Sequence, residues 1–133
     1  MNIGVIGLGL IGGSFALAAK EHLEDVVLYG ADQNQAHLEE AIESGIVDQS
    51  LSPKLYPKMD VMILAIPVNA ASLLILNILD QINDNALLFD AGSTKASICK
   101  IVSLHPKRNQ FLATHPIAGT EFSGPSAAFA DLY

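Results

Sequence analysis

An apolar run, Asn2–Ile6, passes directly into Gly7-Leu8-Gly9-Leu10-Ile11-Gly12-Gly13. This junction constrains the fold more than any other segment. Gly7, Gly9 and Gly12 carry the G-x-G-x-x-G spacing between a strand and a helix. Each glycine has its own reason. Gly7 makes the tight turn, Gly9 lets backbone approach a pyrophosphate, and Gly12 lets helix and strand pack closely. Leu10 and Ile11 lie between them, where the free N–H groups and the dipole of a helix N-terminus favour an anion.

The next landmark stands where a ribose would need it. A second apolar run, Val26–Gly30, is followed by Asp32, twenty residues after Gly12. A carboxylate at that strand end can bind both ribose hydroxyls of an adenosine half and repels a 2′-phosphate. The expected cofactor is NAD rather than NADP.

The rest of the chain alternates strand and helix. Helices are expected over Gly12 to about Leu23, over Asn34–Ser44 with an Asn cap and Gly45 as stop, from an Asn69 cap to about Ile82, and over Thr94–Leu104. Strands are expected at Asp60–Ile66, Ala86–Asp90 and Gln110–Thr114, making five in all, with a short final helix over Pro125–Leu132. Near-continuous apolar strands between helices imply a parallel sheet covered on both faces, a Rossmann-type doubly wound α/β fold. The segment 48–58, with Pro53 and Pro57, is the least regular.

Composition narrows the class. At 133 residues the chain fits one domain. Half its residues are hydrophobic and 16% are charged, which excludes a disordered chain. Seven basic against fourteen acidic residues argue against a nucleic-acid partner. The lone cysteine, Cys99, provides neither a disulfide framework nor a metal cluster, and fits a reducing compartment. Val61–Leu79 is charge-free and near spanning length, but Pro67 and Asn69 divide it, as a strand and a helix would. No basic leader precedes the apolar Ile3–Ala19. The expected location is the cytoplasm, without membrane association.

Charge is uneven. From Ala91 to Thr120 there is no carboxylate, while Lys95, Lys100, Lys107, Arg108, His105 and His115 are present. Two strand ends, DAGSTK and THPIAG, fall at the edge where a nicotinamide would lie. This is consistent with an anionic substrate. Lys100, Lys107 and Arg108 read as solvated side chains, and Lys95 as either that or a substrate contact. His115, at a strand end, suits a base that takes a hydroxyl proton near neutral pH. Ser93 can bond the same hydroxyl, orient His115, or cap the helix beginning at Thr94. Ile66, Pro67 and Val68 end a strand and either flank the cofactor or simply close the strand. His22, His37 and His105 read as surface residues.

Taken together, GLGLIGGS, DAGSTK and THPIAGTEFSGP resemble the prephenate dehydrogenases and the related arogenate (cyclohexadienyl) dehydrogenases over the whole of Met1–Tyr133. The resemblance implies oxidative decarboxylation of prephenate, a small dicarboxylate, to 4-hydroxyphenylpyruvate on the way to tyrosine. It implies His115 and Ser93 at the ring hydroxyl, with Gly7, Gly9, Gly12 and Asp32 holding the dinucleotide. Glu121 falls in the matching motif and is carried as a substrate-side candidate. Such enzymes continue into a helical domain that dimerises. The chain is therefore expected to be their front part, stopping where another strand would follow, and a homodimer is expected only for the complete enzyme. Another dehydrogenase on the same kind of domain, or a non-catalytic dinucleotide-sensing module, are the competing readings.

Overall fold

The computed structural model describes all of residues 1–133. Six parallel strands form one sheet: β1 (Asn2–Ile6), β2 (Val27–Ala31), β3 (Gln49–Ser50), β4 (Val61–Leu64), β5 (Leu87–Asp90) and β6 (Phe111–Ala113). Their order is β3-β2-β1-β4-β5-β6. This is the doubly wound arrangement in which the strand order reverses between β1 and β4 and ligands sit outside the carboxyl ends. Four helices connect the strands: α1 (Leu10–His22), α2 (Gln35–Glu43), α3 (Val68–Gln81) and α4 (Ala96–Val102).

Alternation along each strand divides the core in two. Ile3 and Val5 of β1, Leu28 and Ile63 pack with Leu8, Ala16 and Ala41 on the side of α1 and α2. Met62, Leu64, Leu88 and Phe111 face the other way, toward Ile75, Ile78 and Leu79 of α3 and Ile98 and Val102 of α4. Fully burying each such leucine or isoleucine contributes about 1.5–3 kcal/mol against conformational entropy.

Several boundaries differ from expectation for identifiable reasons. A sixth strand, β3, lies in the segment read as irregular. Gln49 and Ser50 pair with Tyr29 and Gly30. Both are exposed, so no apolar alternation marks this short polar edge strand. Helix α3 begins at Val68 with Pro67 in the cap position, so Asn69 lies in the first turn and caps nothing. Proline fits there because it has no N–H to satisfy. Asn34 does cap α2, its Oδ1 accepting the Ala36 N–H at 3.1 Å. Gly45 stops that helix with φ +74°.

The end of the chain is not one helix. Two 3₁₀ turns, Pro125–Ala127 and Ala130–Leu132, flank an extended Phe129. This segment returns across α1. The Phe129 N–H donates to Ser14 Oγ at 3.1 Å, and the Tyr133 hydroxyl donates to the Ile11 carbonyl at 3.1 Å. The Tyr133 ring stacks on Phe15 with centroids 4.4 Å apart. Burial pushes the Tyr133 phenol up to about 12. A side chain at Gly13 would stand 2.7 Å from the Ala128 Cβ, so this packing depends on a glycine there. The charge-free stretch Val61–Leu79 divides into β4 and α3, and no helix is long and apolar enough to cross a membrane.

Candidate functional site

The carboxyl ends of β1 and β4 open into a cleft of about 970 Å³. Gly7, Gly9, Asp32, Ile66 and Pro67 all line it. The three motif glycines answer different demands. Gly7 has φ +94°, and a Cβ there would lie 2.3 Å from the Ala65 carbonyl oxygen, so the turn itself requires glycine. A Cβ on Gly12 would meet the Gly7 carbonyl oxygen at 1.9 Å, which fixes the approach of α1 to the turn. A Cβ on Gly9 would meet nothing within 4 Å, and Gly9 has φ −74°. The fold does not require glycine at position 9. Open space over backbone is what an approaching pyrophosphate requires.

The N-terminus of α1 suits the same ligand. Gly9 is its cap residue, and no side chain caps it. The first N–H groups, at Leu10 and Ile11, therefore face the helix end without a side-chain partner. Leu10 is itself buried, so only its backbone is available to a ligand.

Asp32 is a fixed carboxylate. Its Oδ2 accepts the Leu8 N–H at 2.8 Å, and its Oδ1 accepts the Asn34 N–H at 2.9 Å. It thus ties the glycine turn to the start of α2 and stays on the cleft wall. Each oxygen retains a lone pair for a ribose hydroxyl. Glycine turn, open helix end and anchored carboxylate together fit a dinucleotide.

Val68 is not on the cleft wall; a Cβ at Gly92 would meet its Cγ2 at 2.9 Å. Asn69, Ala70 and Leu74 of α3 line the cleft instead, as do Tyr56 and Ser123. Sequence reasoning missed these. The signal for the α3 residues was available, because positions 70 and 74 share a helix face. Tyr56 lies in a 3₁₀ turn, and burial pushes its phenol up. His37, read as a surface residue, lines the cleft half-buried, its Nδ1 3.8 Å from Asp32 Oδ1.

Ser93 and His115 follow the ends of adjacent strands, paired through Asp90 and Ala113. Both are exposed. Ser93 is not a helix cap: α4 begins at Ala96, and the cap position is Lys95, without a side-chain cap bond. His115 borders a mostly apolar hollow of about 390 Å³ with Phe15, Phe89, Leu112 and Tyr133. Glu121 lies in a surface depression with Thr120, Phe122 and Ser126 that adjoins the cleft at Ser123.

Lys95 is not an unpaired solvated side chain. It pairs with Asp90, whose side chain is 2% exposed. Asp90 Oδ2 also accepts the Gly92 N–H at 3.2 Å, and its main-chain carbonyl accepts the Thr114 hydroxyl. Asp90 therefore binds both loops that carry Ser93 and His115. An acid closing an apolar strand, with a lysine five residues on, was the sequence signal for it. Lys107 and Arg108 are likewise not free. They donate to the carbonyls of Ile82 and Phe111. His105 is structural too, its Nδ1 accepting the Lys107 N–H at 3.1 Å and its Nε2 meeting Asp80 at 3.2 Å. Each faces a neighbouring element that periodicity along one segment does not show.

Sheet order, glycine turn and anchored acid define a dinucleotide-binding domain of the dehydrogenase type. Residues 15–133 match the nucleotide-binding domain of prephenate dehydrogenase, and the chain belongs to that family. It is 33% identical over 133 residues to the prephenate dehydrogenase of Lactococcus lactis, covering 97% of this chain and 37% of that one. It is 30% identical to the cyclohexadienyl dehydrogenase of Zymomonas mobilis, covering 99% and 46%. Among solved structures it superposes on the A. aeolicus prephenate dehydrogenase in complex with hydroxyphenyl propionate and NAD+, with TM-score 0.88 and 28% identity, covering 100% of this chain and 47% of that one. The chain spans less than half the length of these relatives.

Proposed function

We propose that this chain is the NAD-holding part of a cytoplasmic enzyme that oxidatively decarboxylates prephenate to 4-hydroxyphenylpyruvate. One observation carries the reading. In a member of this family, Ser93 and His115 follow the paired ends of β5 and β6, on the β4 side of the glycine crevice. The preference for NAD over NADP rests on the carboxylate of Asp32 at the ribose position.

The chain's own residues have defined tasks. The open N-terminus of α1 holds the pyrophosphate, and Asp32 accepts from the ribose hydroxyls. Bound nicotinamide supplies a hydride acceptor. His115 takes the proton of the ring hydroxyl as its carbon is oxidised, with Ser93 fixing that hydroxyl. The new carbonyl draws electrons as the ring carboxylate leaves as carbon dioxide, and aromatisation makes the step irreversible. The protein contributes orientation and a single base.

The test is cofactor titration followed by a steady-state assay of NADH formation with prephenate, arogenate and simple hydroxyacids. NAD should bind. Prephenate turnover by residues 1–133 alone should be weak or absent, because the chain spans less than half of its relatives. Near-normal turnover would overturn that division of labour. Turnover of arogenate or a hydroxyacid, without prephenate, would replace the proposed substrate.

A further inference from the structure

His37 is the unassigned chemistry in the cleft. It occupies the first turn of α2, five residues after Asp32. Its Nδ1 lies 3.8 Å from Asp32 Oδ1, and its side chain is 38% exposed. We propose that His37 and Asp32 act as one specificity device, which rejects a 2′-phosphorylated dinucleotide at neutral pH and relaxes that rejection as His37 gains a proton. This rests on the dinucleotide reading of the cleft and adds a second residue and a pH dependence to it.

Asp32 is the fixed member of the pair. Both its oxygens are held by backbone N–H groups, so the carboxylate cannot swing away from a ligand. A 2′-phosphate placed where the ribose hydroxyls should lie meets that fixed negative charge. Neutral His37 does nothing to offset it. Imidazole changes charge between about pH 5 and 8. Protonated, His37 compensates Asp32 and offers an N–H to a phosphate oxygen at the same wall of the cleft.

The surroundings leave Asp32 as the ionised partner. Strand β2 carries only Tyr29 as a titratable group and β3 carries none. The turn Pro125–Ala127 that passes over α2 is neutral, as are Ser123 and Gly124 before it. On α2 itself, Glu39 is engaged by Gln35, Glu40 stands one turn on along the His37 face without pairing with it, and Glu43 lies further along the helix. Glu121 lines the depression that adjoins the cleft at Ser123, and it makes no ion pair with His37. Asp48 is held by Lys20 and the Leu28 N–H.

The experiment measures dissociation constants of NAD and NADP for this chain at pH 8 and pH 5.5, at low and fixed ionic strength. It is repeated with His37→Gln and with Asp32→Asn, each checked for a native circular-dichroism melt. The readout is the NADP-to-NAD ratio. The 2′-phosphate itself gains a proton near pH 6, which moves the ratio in the native chain and in His37→Gln alike, since both keep Asp32. Beyond that common shift, the native chain should favour NADP by about fivefold more at pH 5.5 than at pH 8, the size of an exposed charge pair. His37→Gln should lose this extra shift. Asp32→Asn should raise NADP affinity already at pH 8. If NAD binds and His37→Gln keeps the full shift, the inference is overturned while the dinucleotide reading stands. If neither dinucleotide binds, both fall together.

Discussion

The ammonium of Lys95 closes onto the carboxylate of Asp90, which lies at the end of β5 and is almost wholly buried. Asp90 Oδ1 has no hydrogen-bond partner, so Lys95 and the Gly92 N–H carry the compensation at Oδ2. The two members are unequal, because Lys95 is the more exposed of the pair. Removing the lysine leaves a buried charge unpaired; removing the acid leaves a lysine that can turn to water. Lys95→Met should therefore destabilise the fold by about 3–5 kcal/mol, and Asp90→Asn by clearly less. Urea denaturation at pH 7 measures both. Equal losses would show that Asp90 is not held as an ionised group.

The glycines of the turn separate folding from binding. Gly12→Ala places a methyl against the Gly7 carbonyl, and should cost about 1–3 kcal/mol as an overpacking change. Gly9→Ala places its methyl in open space and should leave the thermal melt within a degree or two of native. It should nonetheless weaken NAD binding at least about tenfold, because the methyl stands where the pyrophosphate approaches. Titration with NAD alongside melts distinguishes the two. A Gly9→Ala chain that binds NAD normally would remove the pyrophosphate from this turn.

Much of this was legible because the decisive signals are local. The strand-to-glycine junction, the acid after the second strand and the Asn34 cap each operate within a few residues, and each is found where local rules put it. What stayed hidden depends on how separate elements turn toward one another, whether their residues are near or far in sequence. β3 is two polar residues whose only mark is the pairing with Tyr29 and Gly30. Lys95 looked free because its partner Asp90 appeared to be merely the end of a strand. His37 looked exterior because helix periodicity does not show that Asp32, from the preceding turn, faces it. The return of Phe129 and Tyr133 onto Ser14 and Ile11 joins residues more than a hundred apart, which no window reading contains.

The proposed base gives a kinetic prediction for the active enzyme. His115→Asn removes the proton acceptor and should lower kcat by about 10²–10⁴-fold while cofactor affinity stays near native. Ser93→Ala should lower it less, since Ser93 orients the hydroxyl without taking its proton. Both residues are exposed, so neither change should disturb stability. Initial rates across pH check the assignment. The rate limb that reports the proton acceptor should vanish in His115→Asn. A limb that persists would assign the proton to another group.

Asp48 connects the edge of the sheet to α1, and it makes the fold acid-sensitive. Burial pushes its carboxyl up, but the Leu28 N–H at 2.8 Å and the Lys20 ammonium at 2.7 Å outweigh this and hold it below the ordinary value of 3.8. A carboxylate depressed in the folded state binds its proton more weakly there than in the unfolded chain. Its stabilisation is complete above the unfolded pKa and is lost as pH falls through the folded one. The loss from Asp48 should thus begin near pH 4 and continue below it. Its side chain is 37% exposed, so solvent screening keeps the contribution to about 0.5–1 kcal/mol at pH 7. Asp48→Asn should lower stability by that amount at neutral pH and converge on the native value in acid. Lys20→Met should behave similarly, and it also removes the 2.6 Å bond from Lys20 to the Gly45 carbonyl, which does not depend on acid. Its deficit should therefore persist at low pH. Chemical denaturation at pH 7, 4 and 3 measures these differences. A constant deficit for Asp48→Asn across that range would mean that the ion pair contributes through packing and not through charge.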